Sequence, residues 1–263
     1  MRKALKTSIL TAAAAAVLLP ASVSTARTSG GSQTDTDQEM TAREEIRESF
    51  RLDPGAAVSV EGIAGPVTVE TGDGAIATVH IVRMAASRRE LDCYRTEVTG
   101  GGARLSIAHV QDRSRGCHSI RSRQQVRLTL PRAVDLSLET VAGNVAIGAI
   151  EGRLTLSSIA GRVQADGVRS ASLSSIAGGL SLTLGALDAR GVDVSSIVGP
   201  TRISFRPGTN ADITVSSVQG DVRSLSASLP IDVENGRVRA RLGAGGPRVS
   251  ISSVVGTVEL SGS

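Results

Sequence analysis

The sequence predicts an all-β protein built as a β-solenoid, a parallel β-helix-like stack of coils of about 20 residues each. Three observations predict it. A short phrase recurs along the chain, apolar and polar residues alternate within each copy, and no helix-period stripe of useful length separates the copies.

The recurring phrase contains an aliphatic residue, a variable residue and then a glycine, and two more residues follow the glycine in each copy quoted below. Its copies are LETVAGNV from Leu138, LSSIAGRV from Leu156, LSSIAGGL from Leu173, VSSIVGPT from Val194, VSSVQGDV from Val215 and ISSVVGTV from Ile251, with a degenerate VENGRV from Val233 and an outlying VEGIAGPV from Val60. Its glycines are Gly143, Gly161, Gly178, Gly199, Gly220, Gly236 and Gly256, spaced by 18, 17, 21, 21, 16 and 20 residues. This period is typical of stacked repeats.

One coil contains two short strands and two turns. Apolar residues occupy every second position in Arg153 to Ser157, which is the strand period, and the glycine allows a turn that a side chain would resist. Coils stacked about 4.8 Å apart place equivalent side chains above one another. The predicted rungs, in chain order, are Ile159, Ile176, Ile197, Val218 and Val254. An antiparallel β-sandwich remains the alternative.

Residues 1–26 have the pattern of a secretory signal peptide. Arg2, Lys3 and Lys6 precede an apolar stretch from Ile9 to Leu19 that is too short to span a bilayer. We expect the mature chain to begin at Arg27, with no transmembrane segment after signal cleavage, and to be exported to the periplasm, the cell surface or the medium.

Three further regions follow the signal. Residues 27–45 read as a disordered linker, 46–132 as an irregular β region that caps the stack, and 133–263 as the repeat solenoid. Residues 41–50 fit two structures. Thr41 and Glu44 resemble a helix capping box, whereas the alternation from Ile46 onward suits a first strand.

Charge and composition argue against nucleic-acid binding. The whole chain has a net charge of +4, but removing the three basic residues of the signal leaves 26 arginines against 25 acidic residues. Aromatic residues make up 1% of the chain, so stacking platforms for bases are scarce.

Cys93 and Cys117 are the two cysteines of the chain. In an exported protein such a pair predicts a disulfide, worth roughly 3 kcal/mol in the chain-entropy model. A metal site that adds His109 and His118 matches no familiar spacing, so we predict none. An anion-binding patch is a further candidate near the second cysteine, formed by Arg113, Arg115, Arg121, Arg123 and Arg127.

No catalytic or cofactor-binding residues are predicted. Five Ser-Ser pairs recur where an enzyme needs one nucleophile, and the histidines His80, His109 and His118 lie outside the repeats. Stacked hydroxyls or turn hydrogen bonds explain the pairs better. Polysaccharide-cleaving β-helices need clustered carboxylates and sugar-stacking aromatics, which the repeats do not offer.

The order of segments resembles the bacterial “putative adhesin” family of exported β-strand-repeat proteins, DUF4097. The resemblance covers about residues 50–263 and rests on VSVEGIAGPVTV from Val58, VRLTLP from Val126, LSLETVAGNV from Leu136 and the later S-S-[IV]-x-G copies. It implies a solenoid-like exported protein without a defined catalytic site.

The sequence therefore predicts a non-enzymatic envelope protein that binds through its surface. Its expected partner is an envelope glycan, a lipid or another protein. The alternatives are a self-associating periplasmic scaffold or envelope-stress sensor and, third, an enzyme acting on polysaccharide.

Overall fold

The computed structural model describes residues 40–111, 122–234 and 236–262. Over those residues the chain is all-β, as predicted, with nineteen strands and one short helix. The elements are β1 Ala42–Ala64, β2 Val67–Gly72, β3 Ile76–Ala85, α1 Arg88–Cys93, β4 Tyr94–Gln111, β5 Ser122–Pro131, β6 Val134–Ala142, β7 Val145–Ile147, β8 Arg153–Ala160, β9 Val163–Val168, β10 Ser170–Ala177, β11 Leu180–Leu184, β12 Val192–Val198, β13 Thr201–Phe205, β14 Ala211–Gln219, β15 Val222–Ser224, β16 Ile231–Glu234, β17 Arg237–Leu242, β18 Arg248–Val255 and β19 Val258–Gly262.

The strands form two layers, because each coil contributes one strand to each layer. The front sheet runs β4, the second half of β1, β6, β8, β10, β12, β18, β14, β17 and β16. The back sheet runs the first half of β1, β3, β5, β2, β7, β9, β11, β13, β19 and β15. Strand β1 belongs to both, so the strands join into one nearly closed, barrel-shaped sheet.

Pairing between successive copies of the phrase is parallel and in register. In the front sheet Leu156 lies beside Leu138 on one side and Leu173 on the other. These side chains are fully buried and face the back sheet, where Val163 and Leu180 are paired in the same way. Each buried rung contributes about 1.5–3 kcal/mol, and these parallel pairings do not fit the antiparallel sandwich.

A left-handed residue interrupts the strand alternation in four successive coils, those of β6, β8, β10 and β12. Thr140, Ser158, Ser175 and Ser196 occupy equivalent positions and have φ between 54° and 56°. This conformation turns the backbone once, so the buried residues Leu173 and Ile176 stand three positions apart on the same interior. The Leu-Ser-Ser-Ile sequence follows from this turn, since both serines then face outward.

Glycine is required because successive coils touch at the corner that follows. A Cβ on Gly199 would lie 1.6 Å from the carbonyl oxygen of Gly178, and one on Gly161 would lie 2.2 Å from that of Gly143. Such distances are far inside van der Waals contact. The contacts order the column as Gly65, Gly143, Gly161, Gly178, Gly199, Gly256 and Gly220.

The predicted order of the rungs is wrong for the last two coils. Strand β18 pairs with β12 on one side and β14 on the other, so Val254 lies between Ile197 and Val218. In chain order, β14 and β15 come first, and the antiparallel hairpin β16–β17 then packs on the outer side of β14. The last coil, β18 and β19, returns to the position between β12 and β14. Gly236 lies in the turn between β16 and β17 and is not part of the glycine column.

The opposite end uses the same arrangement. The coil formed by β1 and β2 lies between the coil of β4 and β5 and the coil of β6 and β7. The outlying phrase at Val60 is therefore a regular rung, with Val60 paired to Leu138. The regular stack begins inside the region predicted to be an irregular cap.

Two segments of the chain have a helix-capping pattern, and the structure shows which of them begins a helix. Residues 42–51 form a strand antiparallel to β3, which decides between the two predictions for that segment. This strand begins at Ala42, within the range 27–45 predicted as a linker. The helix forms instead at Ser87, whose side chain accepts a hydrogen bond from the Glu90 amide at 3.3 Å. Over the described residues, no helix has the length and apolar character needed to cross a membrane.

Candidate functional site

The main surface feature is a long shallow groove on the outer face of the front sheet. Four cavities of about 710, 420, 480 and 510 Å³ follow one another from β4 to β16. Arg153 lines the first and second, Arg248 the second and third, and Asp212 the third and fourth. Shared walls make the four cavities one groove that crosses the strands along the stacking direction.

A column of polar side chains forms the floor of this groove. One position of every front strand contributes, in spatial order Ser106, Ser59, Ser137, Thr155, Ser172, Asp193, Ser250, Thr214, Arg239 and Asp232. Most of its hydroxyl-bearing members are half-buried, and the Oγ atoms of Ser59 and Ser106 lie 3.3 Å apart. Donors and acceptors therefore recur at the strand spacing of about 4.8 Å.

A second column, at the starts of the front strands, is charged. Asp135 accepts a hydrogen bond from the Arg153 amide at 2.6 Å, and Arg190 reaches Asp188 at 2.7 Å. Burial raises the pKa of Asp188, but hydrogen bonds from Arg190 outweigh it and hold the pKa below its ordinary value. The hydrogen bond with Asp188 raises the pKa of Arg190 in turn.

The charged column continues on β14 and β17. The Arg241 side chain donates to Asp212 at 2.9 Å and holds the pKa of that carboxyl below its ordinary value, with help from the Gly246 amide. Arg239 pairs with Glu234 at 3.3 Å. These exposed pairs position the arginines more than they stabilise the fold.

A separate polar cluster lies under the N-terminal end of the stack. Gln124 is buried and donates from Nε2 to Nδ1 of His109 at 2.7 Å, while Tyr94 stacks on the ring with centroids 5.1 Å apart. Burial, with a smaller contribution from the charge of the nearby Arg83, lowers the pKa of His109 to about 4. Arg83 is itself buried, donates to the Leu91 carbonyl at 2.7 Å and pairs with Glu44.

The predicted site residues do not lie in the groove where the structure describes them. Cys93 is buried at the end of α1, and Cys117 lies outside the described residues, so the disulfide stays a prediction. Arg123 and Arg127 are exposed on β5 in the back sheet. Arg113, Arg115 and Arg121 also lie outside the described residues, and the anion-binding patch stays a prediction.

Sequence reasoning missed the groove arginines. Arg153 and Arg248 are 95 positions apart in the chain, yet the order of strands brings both into one cavity. The sequence signal that could have identified them is their common position, immediately before a run of alternating apolar residues that forms a strand. The Ser-Ser pairs are confirmed as stacked, since Ser157, Ser174 and Ser195 are neighbours across three strands.

The residues that the structure describes contain no cluster of metal-ligating side chains. Within residues 40–111, 122–234 and 236–262, no three His, Cys, Asp or Glu side chains converge as ligands of one ion.

Comparisons with known proteins give weak structural similarities. No family model and no curated protein matches the chain. A crystal structure described as a “putative cell adhesion protein” from Clostridium sporogenes is 11% identical, with 84% of this chain and 100% of that chain covered and a TM-score of 0.45. A “putative adhesin” from Bacteroides fragilis is 11% identical, covering 82% and 97%, with a TM-score of 0.35.

A third solved structure has a different description. It is a “putative lipid binding protein” from Parabacteroides distasonis, 14% identical over 83% of this chain and 96% of that chain, with a TM-score of 0.26. At these scores the similarity establishes neither a common activity nor a common ligand.

Proposed function

We propose that this protein is an exported, non-enzymatic binding module of the cell envelope that holds an extended polymer along the outer face of its front sheet. The groove carries the proposal, because it crosses the front sheet from β4 to β16 without leaving that face. Export is supported by the signal-like residues 1–26. The stacked coils support the solenoid description and the resemblance to the DUF4097 family.

The repeat of the floor favours a repeating ligand. Ser137, Thr155 and Ser172 present one hydroxyl per strand, about 4.8 Å apart, in a straight column. A polysaccharide offers hydroxyl and ring oxygens at intervals along its length, and each can exchange hydrogen bonds with this column. Many weak, repeated contacts then add up over the groove.

The chemistry of the walls favours binding over catalysis. The pKa of Asp212 in the groove, and that of Asp188, which pairs with the groove arginine Arg190, are both held below their ordinary values by arginines. A general acid at neutral pH needs the opposite shift. His109, whose pKa is about 4, faces the interior cluster with Gln124 and Arg83.

The proposal is tested by filling the groove. Ser172→Tyr places a large side chain on the groove floor at β10, and Ser181→Tyr places the same one on the outer face of β11 in the back sheet. Both serines are half-buried and face outward, so the pair is matched. Binding to a panel of immobilised neutral and acidic polysaccharides should fall at least tenfold for Ser172→Tyr alone.

Equal binding by both variants would remove the groove as the binding site. Absence of wild-type binding to every member of the panel would count against the polymer-binding function itself.

A self-associating scaffold is the second candidate, favoured by the open edge at β16. Among the described strands, β16 pairs with β17 alone, and Val233 on it is 65% exposed, as Leu225 nearby in sequence is 56% exposed. Exposed edges of this kind recruit further strands. Concentration-dependent growth in light scattering that Val233→Lys abolishes would support this candidate.

A further inference from the structure

We propose that the groove selects an acidic polysaccharide, and that Arg153, Arg190 and Arg248 form the subsite for its carboxylate or phosphate groups. This inference rests on the proposed polymer-binding function and adds the chemical class of the polymer. It is carried by the second cavity, of about 420 Å³, which these three arginines line.

The arginines surround the cavity from separate coils. Arg153 begins β8, Arg190 precedes β12 and Arg248 begins β18, so their strands span β8, β10, β12 and β18 in the front sheet. Three strand spacings place Arg153 and Arg248 about 14 Å apart along the stacking direction. Ser172 and Ser250 lie between them on the floor. Successive units of a polymer can therefore meet a cation, a hydroxyl and a second cation.

Ion pairing leaves positive charge unmatched in this part of the groove. Arg190 is held by Asp188 at 2.7 Å and approaches Asp135 at 3.9 Å. Within the described part of the chain, no carboxylate lies within 4.0 Å of the guanidinium of Arg153 or Arg248.

The neighbouring third cavity adds to this excess. Arg237 lines it and also has no carboxylate within 4.0 Å among the described residues. Arg239 and Asp212, which also line this cavity, are already paired with Glu234 and Arg241, respectively. Asp193 also lines the second cavity and has no arginine within 4.0 Å among the residues that the structure describes, so three unmatched arginines oppose one carboxylate in this half of the groove.

The first cavity is balanced in charge. Arg104 and Arg153 line it together with Glu61 and Asp135, and its remaining walls are mainly hydroxyls and small apolar residues. The positive excess is therefore concentrated in the second and third cavities. An acidic chain gains most from that part of the groove, which contains Arg153, Arg248 and Arg237, because guanidinium groups bind carboxylates and phosphates with fixed geometry.

Other anionic macromolecules suit these walls less well. None of the described residues lining the four cavities is aromatic, so bases of a single-stranded nucleic acid find no stacking platform. Arg153 and Arg248 are exposed beside hydroxyls, and the second cavity offers no enclosed apolar space for an acyl chain.

The test compares one polymer in two charge states. Polygalacturonate and its carboxyl-reduced form share a backbone and differ in the acidic group. Titration calorimetry with the full mature chain should give at least tenfold tighter binding to the acidic form at low salt, and the difference should shrink as salt is added. Arg153→Gln/Arg248→Gln should reduce that ratio to within about twofold.

A matched control removes the same charge elsewhere. Arg127→Gln/Arg162→Gln changes two exposed arginines outside the groove, one of which belongs to the predicted anion-binding patch, and should keep the wild-type ratio. Loss of the ratio in this control alone would overturn the subsite and point to the predicted patch. Equal wild-type affinity for both polymers would overturn the acidic preference while leaving the polymer-binding function intact. Tight binding of the wild type to anionic vesicles or single-stranded DNA, with none to polygalacturonate, would overturn the polysaccharide class.

Discussion

The central coils and the two ends of the stack bury their strands in different ways. In the centre, β8, β10 and β12 each pair in parallel with equivalent neighbours on both sides, and every coil repeats the same turn and the same glycine. At the ends, the pairing becomes antiparallel, with β3 against β1 and β5, and β17 against β14 and β16. The repeat organises the centre, and antiparallel strands are added at each end, where β16 still leaves an open edge.

Both ends also place a terminal coil inside the stack. The β18–β19 coil is covered by β14 and β15, and the coil of β1 and β2 is covered by β4 and β5. A coil on the outside of the stack has a neighbour on one side only. Placing these coils one position inward gives each of them two neighbours, which raises the cost of fraying.

The largest effect is expected from the glycine column in the centre. Gly199→Ala should cost about 3 kcal/mol or more, because the new Cβ meets the backbone carbonyl oxygen of Gly178 at 1.6 Å and Gly199 has a φ of 136°. Gly74→Ala, where nothing lies within 4 Å, should change the free energy of unfolding by less than about 0.5 kcal/mol. Urea unfolding of both variants checks this, and equal midpoints would mean that the coils do not touch at that corner.

The inserted coil is tested by two neighbouring rungs of one ladder. Val254 is fully buried between Ile197 and Val218, whereas Val218 is only partly buried on the outer coil. Val254→Ala should therefore cost about 2–3 kcal/mol and Val218→Ala about 1 kcal/mol. Coils stacked in chain order would reverse this ranking, so denaturation of the two variants decides the order of coils.

The left-handed serine of the central coils predicts a smaller effect. Ser175 has φ of 54°, and a β-branched side chain there should cost about 1–2 kcal/mol. Ser174, its neighbour, is half-buried on the outer face of the same strand, so Ser174→Val should cost less than about 0.5 kcal/mol. A lower melting temperature for Ser174→Val than for Ser175→Val would contradict the left-handed turn.

The N-terminal end should respond to pH where the centre does not. Because burial holds the pKa of His109 at about 4, below the ordinary 6.5, the unfolded chain takes up a proton between pH 6.5 and 4 that the folded chain refuses. Stability should fall in that window by roughly 1 kcal/mol after allowance for solvent screening.

Replacing the ring isolates this contribution. His109→Gln should remove that part of the pH dependence, while His80→Gln, at a half-exposed position paired with Glu45, should retain it. The free energy of unfolding measured at pH 7 and pH 4.5 distinguishes the two. The same slope in wild type and His109→Gln would show that His109 titrates normally.

Much of the local structure was predictable because it repeats. The strands around Val67, Val126 and Leu173 follow from two-residue alternation, and the buried face of each follows from the same pattern. The capping signal was ambiguous, since Thr41 with Glu44 and Ser87 with Glu90 share a pattern but the first leads into a strand and the second starts a helix. Pairing with β3 decides the first case, and no local pattern contains that information.

The sequence by itself determined the period, the buried face of each coil and the need for glycine at the corners, because these depend on residues close together in the chain. Tertiary structure alone decided the order of the coils, since Gly220 and Gly256 end equivalent phrases and either could have lain outermost. It also decided the groove. Arg153 and Arg248 line one cavity only after the last coil has moved inward to lie beside β12, which is a contact between distant segments.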